Sequence, residues 1–259
     1  MNVLITGDRG YIGSSLTREL KDTFNITSIN RDVVDLTNKK DVKNFFTGKN
    51  FDVVIHTAIE GGHRLVKDTE KVTHNNLMMF YNILENKEHY SRFINFSSGG
   101  EKYTDTPYGL SKNIMTQLVN SMDGFFNLKL FGVFDENELN TRFIKSNLLR
   151  YIKKENMIIH KNKFMDFFYM KDLVKVVAYY ITAEESKLHK NVDCVYNDKF
   201  TLRDIVEIIN SCCKYKVGVD IQNTELDNPY IGSSTNINNI PFNIDNLING
   251  INNTYKKLL

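Results

Sequence analysis

Ile5-Thr6-Gly7-Asp8-Arg9-Gly10-Tyr11-Ile12-Gly13 joins an uncharged, β-rich run at residues 2–6 to Ser14-Ser15-Leu16-Thr17-Arg18-Glu19-Leu20, which reads as helix. A strand that turns through glycines into a helix makes an anion cradle. Small residues let backbone N–H groups approach a pyrophosphate, and the helix N-terminus adds partial positive charge. Three glycines alone are also compatible with an ordinary strand-to-helix turn. Working outward, strands are expected at 2–6, 25–30, 51–56, 92–96 and 127–134, alternating with helices at 12–22, 39–47, 66–86 and 109–122. That alternation predicts a parallel sheet wound with helices on both faces. Beyond Asp135 the pattern loosens to a helix at 141–154, a strand near 157–160 and helices near 171–184 and 201–213. The expected architecture is therefore α/β, a Rossmann-like doubly wound parallel sheet with a smaller, interleaved C-terminal part. The sheet domain is expected from 1–134, with 162–185 returning to it, and the smaller part from 135–161 and 186–259.

A second signal lies about a hundred residues downstream, in Tyr108-Gly109-Leu110-Ser111-Lys112, preceded by Ser97-Ser98-Gly99-Gly100. Apolar residues at Leu110, Ile114, Met115, Leu118, Val119 and Met122 fit one face of a helix. Four residues apart on that helix, Tyr108 and Lys112 point the same way. A phenol ordinarily titrates near pH 10, about three units too high for proton exchange at neutral pH. A neighbouring ammonium favours the phenolate and draws that value down. A serine just after the strand Arg92-Phe93-Ile94-Asn95-Phe96 can hydrogen-bond a carbonyl or alkoxide oxygen.

Composition sets limits. The 259 residues, 41% hydrophobic and 25% charged, are those of an ordinary globular protein able to bury one sizeable core. A formal charge of +2 and the absence of a concentrated basic tract give no reason to expect nucleic acid. No stretch approaches the roughly 20 apolar residues that span a bilayer, and residues 1–6 read as a strand rather than a signal peptide. Cys194, Cys212 and Cys213 lack metal spacing and read as reduced thiols in a cytoplasm. Six histidines show no paired ligand spacing, so no metal is expected. His56 ends a strand and reads as a packed residue, whereas His63 follows Gly61-Gly62 in a loop and is a candidate substrate contact.

With these residues in hand, the chain resembles the extended short-chain dehydrogenase/reductases, the NAD-dependent epimerase, dehydratase and reductase group. Phe51-Asp52-Val53-Val54-Ile55-His56-Thr57-Ala58 is similar to that family's fourth strand and its His-x-Ala ending. Asn75-Asn76-Leu77 and Phe164-Met165-Asp166-Phe167-Phe168-Tyr169-Met170-Lys171-Asp172-Leu173 resemble two further family segments. Gly7-Asp8-Arg9-Gly10, Gly61-Gly62 and Asn76-Leu77-Met78 are most similar to the GDP-L-fucose synthase-like nucleotide-sugar reductases. The resemblance implies a dinucleotide held by Gly7, Arg9, Gly10, Tyr11, Ile12, Gly13, Asn30, Arg31, Asp35, Leu36, Thr57, Ala58, Asn76 and Lys112. It implies catalysis by Ser98, Tyr108 and Lys112, with Lys112 also anchoring a ribose. A nucleotide-sugar substrate would meet Ser98, Gly99, His63, Arg142 and Lys145. The second strand ends in Asn30-Arg31, without the acid that takes an NAD 2′-hydroxyl, and Arg9 and Arg31 suit a 2′-phosphate. NADP(H) is therefore expected before NAD(H). A homodimer through the tyrosine helix and the one before it is also expected.

Departures narrow the reaction. Ser98-Gly99-Gly100 lacks the acids of the family's dehydratases. Gly100 and Asn137 fall where the fucose synthases carry an epimerising cysteine and histidine, and neither exchanges protons at neutral pH. Met165 replaces an arginine that meets the substrate diphosphate, leaving Arg142, Lys145 or Lys163 for that role. Ser98, not Ser97, falls in the catalytic position when strand endings are aligned, with a one-residue slip left open. Three readings follow: an NADPH-dependent reductase of a nucleotide-linked 4-keto-6-deoxy sugar, an NAD-dependent 4-epimerase, and a non-catalytic cofactor sensor.

Overall fold

A computed structural model describes residues 1–63, 66–212 and 214–259; Cys213, counted above among the thiols, lies outside the described residues. The chain divides into two compact units. The first comprises Met1–Lys129 and Val177–Val192, the second Leu130–Val176 and Asp193–Leu259.

The first unit opens with β1 (Asn2–Thr6), α1 (Tyr11–Leu20), β2 (Asn25–Ile29), α2 (Lys39–Phe46) and β3 (Phe51–His56). It continues through α3 (Glu70–Leu84), β4 (Tyr90–Ser98), α4 (Pro107–Asn120) and β5 (Phe125–Leu130). Val3, Leu4 and Ile5 of β1 and Val53, Val54 and Ile55 of β3 are fully buried. Such continuous apolar runs suit strands covered on both faces. Asn38 caps α2 by accepting from the Lys40 and Asp41 amides, and Thr106 caps α4 by accepting from Gly109 N, with Pro107 in the first turn. The six-stranded sheet has the order β2-β1-β3-β4-β5, closed on one edge by β9 (Asn191–Asp193). β1 pairs in parallel with β2 on one side and β3 on the other, so the chain reverses its direction of travel across the sheet at β1. In a doubly wound sheet that switch point is where ligands sit, beyond the C-terminal strand ends. Leu4, Val54, Phe80, Phe93, Met115 and Phe125 centre the core, with Phe93 stacked on Phe125 at 5.0 Å.

The second unit holds β6 (Val133–Phe134), α5 (Phe143–Ile152), β7 (Met157–Ile159), β8 (Phe168–Tyr169) and the start of α6 (Met170–Thr182). α7 (Leu202–Asn210), β10 (Val219–Ile221) and α8 (Leu247–Leu258) complete it. The single strand expected over 127–134 is two: Phe131-Gly132 interrupts it, and Val133–Phe134 pairs with Phe168–Tyr169 instead. A Cβ on Gly132 would lie 2.8 Å from the Phe167 ring, so a larger residue could not make this departure. α8 and β10 were not expected from the sequence. Thr201 and Asp204 form a reciprocal capping box that starts α7. Among the described residues no helix is long and apolar enough to cross a membrane.

Candidate active site

Beyond the ends of β1 and β3 the first glycine turn is fixed by close approach. Gly7 has φ +75°, and a Cβ there would lie 2.7 Å from Ala58 backbone atoms. A Cβ on Gly13 would lie 2.3 Å from the Gly7 carbonyl and 2.6 Å from Thr57 Oγ1. The two turns are also laced by hydrogen bonds: Thr57 Oγ1 donates to the Thr6 carbonyl (2.5 Å) and Ala58 N to Thr6 Oγ1 (3.3 Å). The N-cap of α1 is Gly10, which has no side chain with which to cap the helix. Such a side-chain-free helix start fits the pyrophosphate of a dinucleotide. Tyr11 and Ile12 occupy the first turn of α1, half-buried.

His56, at the end of β3, is packed as expected. It is buried, its Nδ1 lies 2.9 Å from Thr6 Oγ1, and its ring meets Phe80 and Phe93. Burial, with the Lys112 charge adding to it, brings its pKa down to about 3.

Ser98, Tyr108 and Lys112 come together in the first unit. Tyr108 lies in the first turn of α4 and Lys112 one turn on. Lys112 Nζ stands 5.9 Å from the centre of the Tyr108 ring and donates to the Phe96 carbonyl at 2.5 Å. Lys112 is buried, which pulls its pKa down to about 8 against the opposing Glu101 carboxylate. Two glycines flank the half-buried phenol: a Cβ on Gly62 would lie 3.0 Å from Tyr108 Cε2, and one on Gly100 3.5 Å from Cε1. The same Gly100 position is 3.3 Å from Ser98 Oγ, and Gly100 N donates to that oxygen at 3.1 Å. Gly100 thus seats the serine hydroxyl and the phenol beside each other, with buried Gly99 between them in the chain. Ser97, the alternative, is engaged elsewhere: its hydroxyl is bonded to the Glu101 carboxylate and to Thr116 Oγ1, and Glu101 pairs with Lys129 at 2.8 Å. His63 is exposed in the loop that carries Gly62.

At the end of β2, Asn30 Nδ2 donates to Asp8 Oδ1 (2.9 Å) and Ser28 Oγ to Asp8 Oδ2 (2.8 Å). Arg9 pairs with Asp32 at 2.5 Å, and Arg31 with Glu60 at 3.4 Å, both guanidiniums being exposed. A hydrogen bond from Thr37 holds the Asp35 carboxyl below the usual range, with Arg31 contributing. Leu36 is buried in the core, and its carbonyl accepts from Asn82. Asn76 is fully buried and used at both ends of its amide: Oδ1 accepts from Glu60 N, and Nδ2 donates to Glu60 O and Ser111 Oγ. Asn76 therefore ties the loop after β3 to α4, a task that sequence alone does not separate from ligand binding. Asp8, Gly62, Glu60 and Glu101 were also missed. Their importance depends on partners brought close by the fold rather than by any local pattern.

Arg142 and Lys145 belong to the second unit. Lys145 Nζ donates to the Glu138 carbonyl (2.7 Å), and Arg142 Nε is 4.0 Å from the Glu138 carboxyl. Burial raises that carboxyl to about 8 despite Arg142. Met165 is half-buried, and Lys163 lies 5.6 Å from the Tyr230 ring. Among the described residues no His, Cys, Asp and Glu cluster could hold a metal ion.

Comparisons with known proteins bear on the family and the fold. A family model described as the NAD dependent epimerase/dehydratase family matches residues 3–197. A CDP-abequose synthase from Yersinia pseudotuberculosis is 24% identical over 237 residues, 81% of this chain and 84% of its own. The GDP-mannoheptose C4 reductase of Campylobacter jejuni, with NADP bound, has a TM-score of 0.82 at 16% identity, over 98% of this chain and 97% of that one. A UDP-glucuronic acid 4-epimerase variant from Bacillus cereus, in complex with UDP-4-deoxy-4-fluoro-glucuronic acid and NAD, has a TM-score of 0.80 at 16% identity over the full length of both chains. The fold is thus similar to reductive and epimerising enzymes alike.

Proposed function

The chain belongs to the NAD dependent epimerase/dehydratase family, and from that premise we propose that it reduces the 4-keto group of a nucleotide-linked 6-deoxy sugar at the expense of NADPH. The observation that carries this reading is the seating of Ser98 and Tyr108 about Gly100, with Lys112 Nζ 5.9 Å from the centre of the phenol ring. When bound over the glycine turn, the dinucleotide supplies a hydride to the sugar carbonyl carbon. Ser98 donates a hydrogen bond to the carbonyl oxygen as negative charge builds on it. Tyr108 gives its phenolic proton to that oxygen, completing the alcohol. Lys112, positive at neutral pH and beside the ring, stabilises the phenolate left behind until solvent restores its proton. Ketone, NADPH and one proton become alcohol and NADP⁺.

Gly7, Gly10, Gly13 and the amides of Tyr11 and Ile12 would hold the pyrophosphate. Arg9 and Arg31 would meet a 2′-phosphate. The C. jejuni reductase with NADP bound supports the cofactor, and the CDP-abequose synthase supports a nucleotide-linked deoxysugar. Gly100 and Asn137, which carry no acid or base, argue against a further epimerisation step. Tyr81, Leu110 and Leu118 leave apolar surface exposed on α3 and α4, the helices assigned to a homodimer interface in this reading.

The test is NADPH oxidation against GDP-, UDP-, CDP- and dTDP-linked 4-keto sugars. One of them should be turned over, and Tyr108→Phe should lose about 10²–10⁴ in rate while binding NADPH as before. Unchanged turnover in that variant removes Tyr108 as the acid. The likeness to the B. cereus 4-epimerase with NAD favours a second reading. Under it, the purified protein retains NAD and interconverts C4 epimers without consuming NADPH.

A further inference from the structure

We propose that Asp8 sets the cofactor selectivity of this chain, offering its carboxylate to the adenosine ribose so that the 2′-hydroxyl of NADH is accepted alongside the 2′-phosphate of NADPH. This rests on the dinucleotide reading above and deepens it.

In a doubly wound sheet the ribose 2′ position falls at the end of the second strand, and an acid from that strand ordinarily takes the hydroxyl. Here β2 runs into Asn30, which carries no charge. An acid nevertheless stands at that strand end, delivered by the glycine turn. Asn30 Nδ2 reaches Asp8 Oδ1 at 2.9 Å and Ser28 Oγ reaches Oδ2 at 2.8 Å. These two neutral donors hold the half-buried carboxylate in place. Each carboxylate oxygen has a second lone-pair direction, so acceptor capacity remains for a sugar hydroxyl.

The cations beside it are already engaged. Arg9, the next residue, pairs with Asp32, and Arg31, directly after Asn30, pairs with Glu60. Both pairs are exposed and therefore weak, so a phosphate dianion can recruit the two guanidiniums. It must do so beside three carboxylates, Asp8, Asp32 and Glu60, set against two positive charges. A neutral 2′-hydroxyl meets no such repulsion and can donate to Asp8. The arginines pull toward NADPH and Asp8 pulls back, which leaves a narrow margin between the two dinucleotides.

Dissociation constants for NADPH and NADH, read from nicotinamide fluorescence, test this without any turnover. The wild type should bind the two within about tenfold of each other. Asp8→Asn keeps the size and some of the hydrogen bonding but removes the charge. It should shift the ratio about tenfold further toward NADPH, by weakening NADH and tightening NADPH. Arg9→Ala, a change at an exposed side chain, should shift the ratio the other way. NADPH binding with an unchanged ratio in Asp8→Asn overturns the proposal, and so does equal weakening of both ligands, which would leave Asp8 only a role in holding the turn. If the wild type binds neither dinucleotide, the reading beneath the proposal fails with it.

Discussion

An ammonium taken out of water gives up its proton more readily, and Lys112 is such a group, buried with its Nζ on the Phe96 carbonyl and its pKa brought down to about 8. One unit below that value, roughly nine in ten side chains are still charged, enough to stabilise the Tyr108 phenolate at neutral pH. Above it the charge is lost, and with it the support for proton transfer. The kcat of ketone reduction, read at saturating sugar, should therefore fall as pH rises through about 8. A guanidinium stays protonated throughout this range, so Lys112→Arg, though slower, should carry its alkaline limb to higher pH. Parallel pH–rate profiles of the two proteins check this, and a limb at the same pH in both assigns it to another group.

At the scale of elements, the parallel pair β1 and β3 is stitched at its C-terminal end by His56 and Thr6. Burial keeps that imidazole neutral down to about pH 3, whereas an unfolded histidine takes a proton near 6.5. The unfolded chain therefore binds the extra proton as pH falls from 6.5 toward 3. Over that window stability is lost, at up to about 1.4 kcal/mol per pH unit. His56→Asn has no proton to gain, so its urea midpoint should decline less between pH 7 and pH 5 than that of the wild type. Equal declines would place the acid sensitivity elsewhere. The strands that meet here were legible in the sequence because burial on both faces writes a continuous apolar run, as at Val53-Val54-Ile55. Tyr108 and Lys112 were legible for a different reason: their relation spans one helical turn. α8 was not, although Leu247, Ile251 and Tyr255 recur at helical spacing. Its asparagines and Gly250 look like a loop, and the glycine is there because a Cβ would meet Phe134 and Tyr169 at 2.9–3.0 Å. Asp8 and Gly62 were equally hidden, since Ser28, Asn30 and the Tyr108 ring reach them only after folding.

At the scale of the whole molecule, the reaction we propose assigns the two units separable tasks. The glycine turn, Ser98, Tyr108 and Lys112 all belong to the first. Arg142 and Lys145 belong to the second, where they surround Glu138. With its carboxyl raised to about 8 by burial, Glu138 is mostly uncharged at pH 7. The Arg142 guanidinium, 40% exposed and 4.0 Å away, then keeps its positive charge uncancelled by that neighbour. A cation of this kind can meet a sugar-nucleotide diphosphate, doing what the family arginine does at the position where this chain has Met165. Arg142→Ala should accordingly raise KM for the nucleotide sugar about tenfold and leave the dissociation constant of NADPH unchanged. In the wild type that KM should also climb above pH 8, as Glu138 ionises and neutralises the arginine, and the climb should vanish in the variant. Steady-state kinetics at pH 7 and 9 beside NADPH titrations separate the two effects. A loss of NADPH binding in Arg142→Ala, or a KM that does not move, would deny the second unit this role.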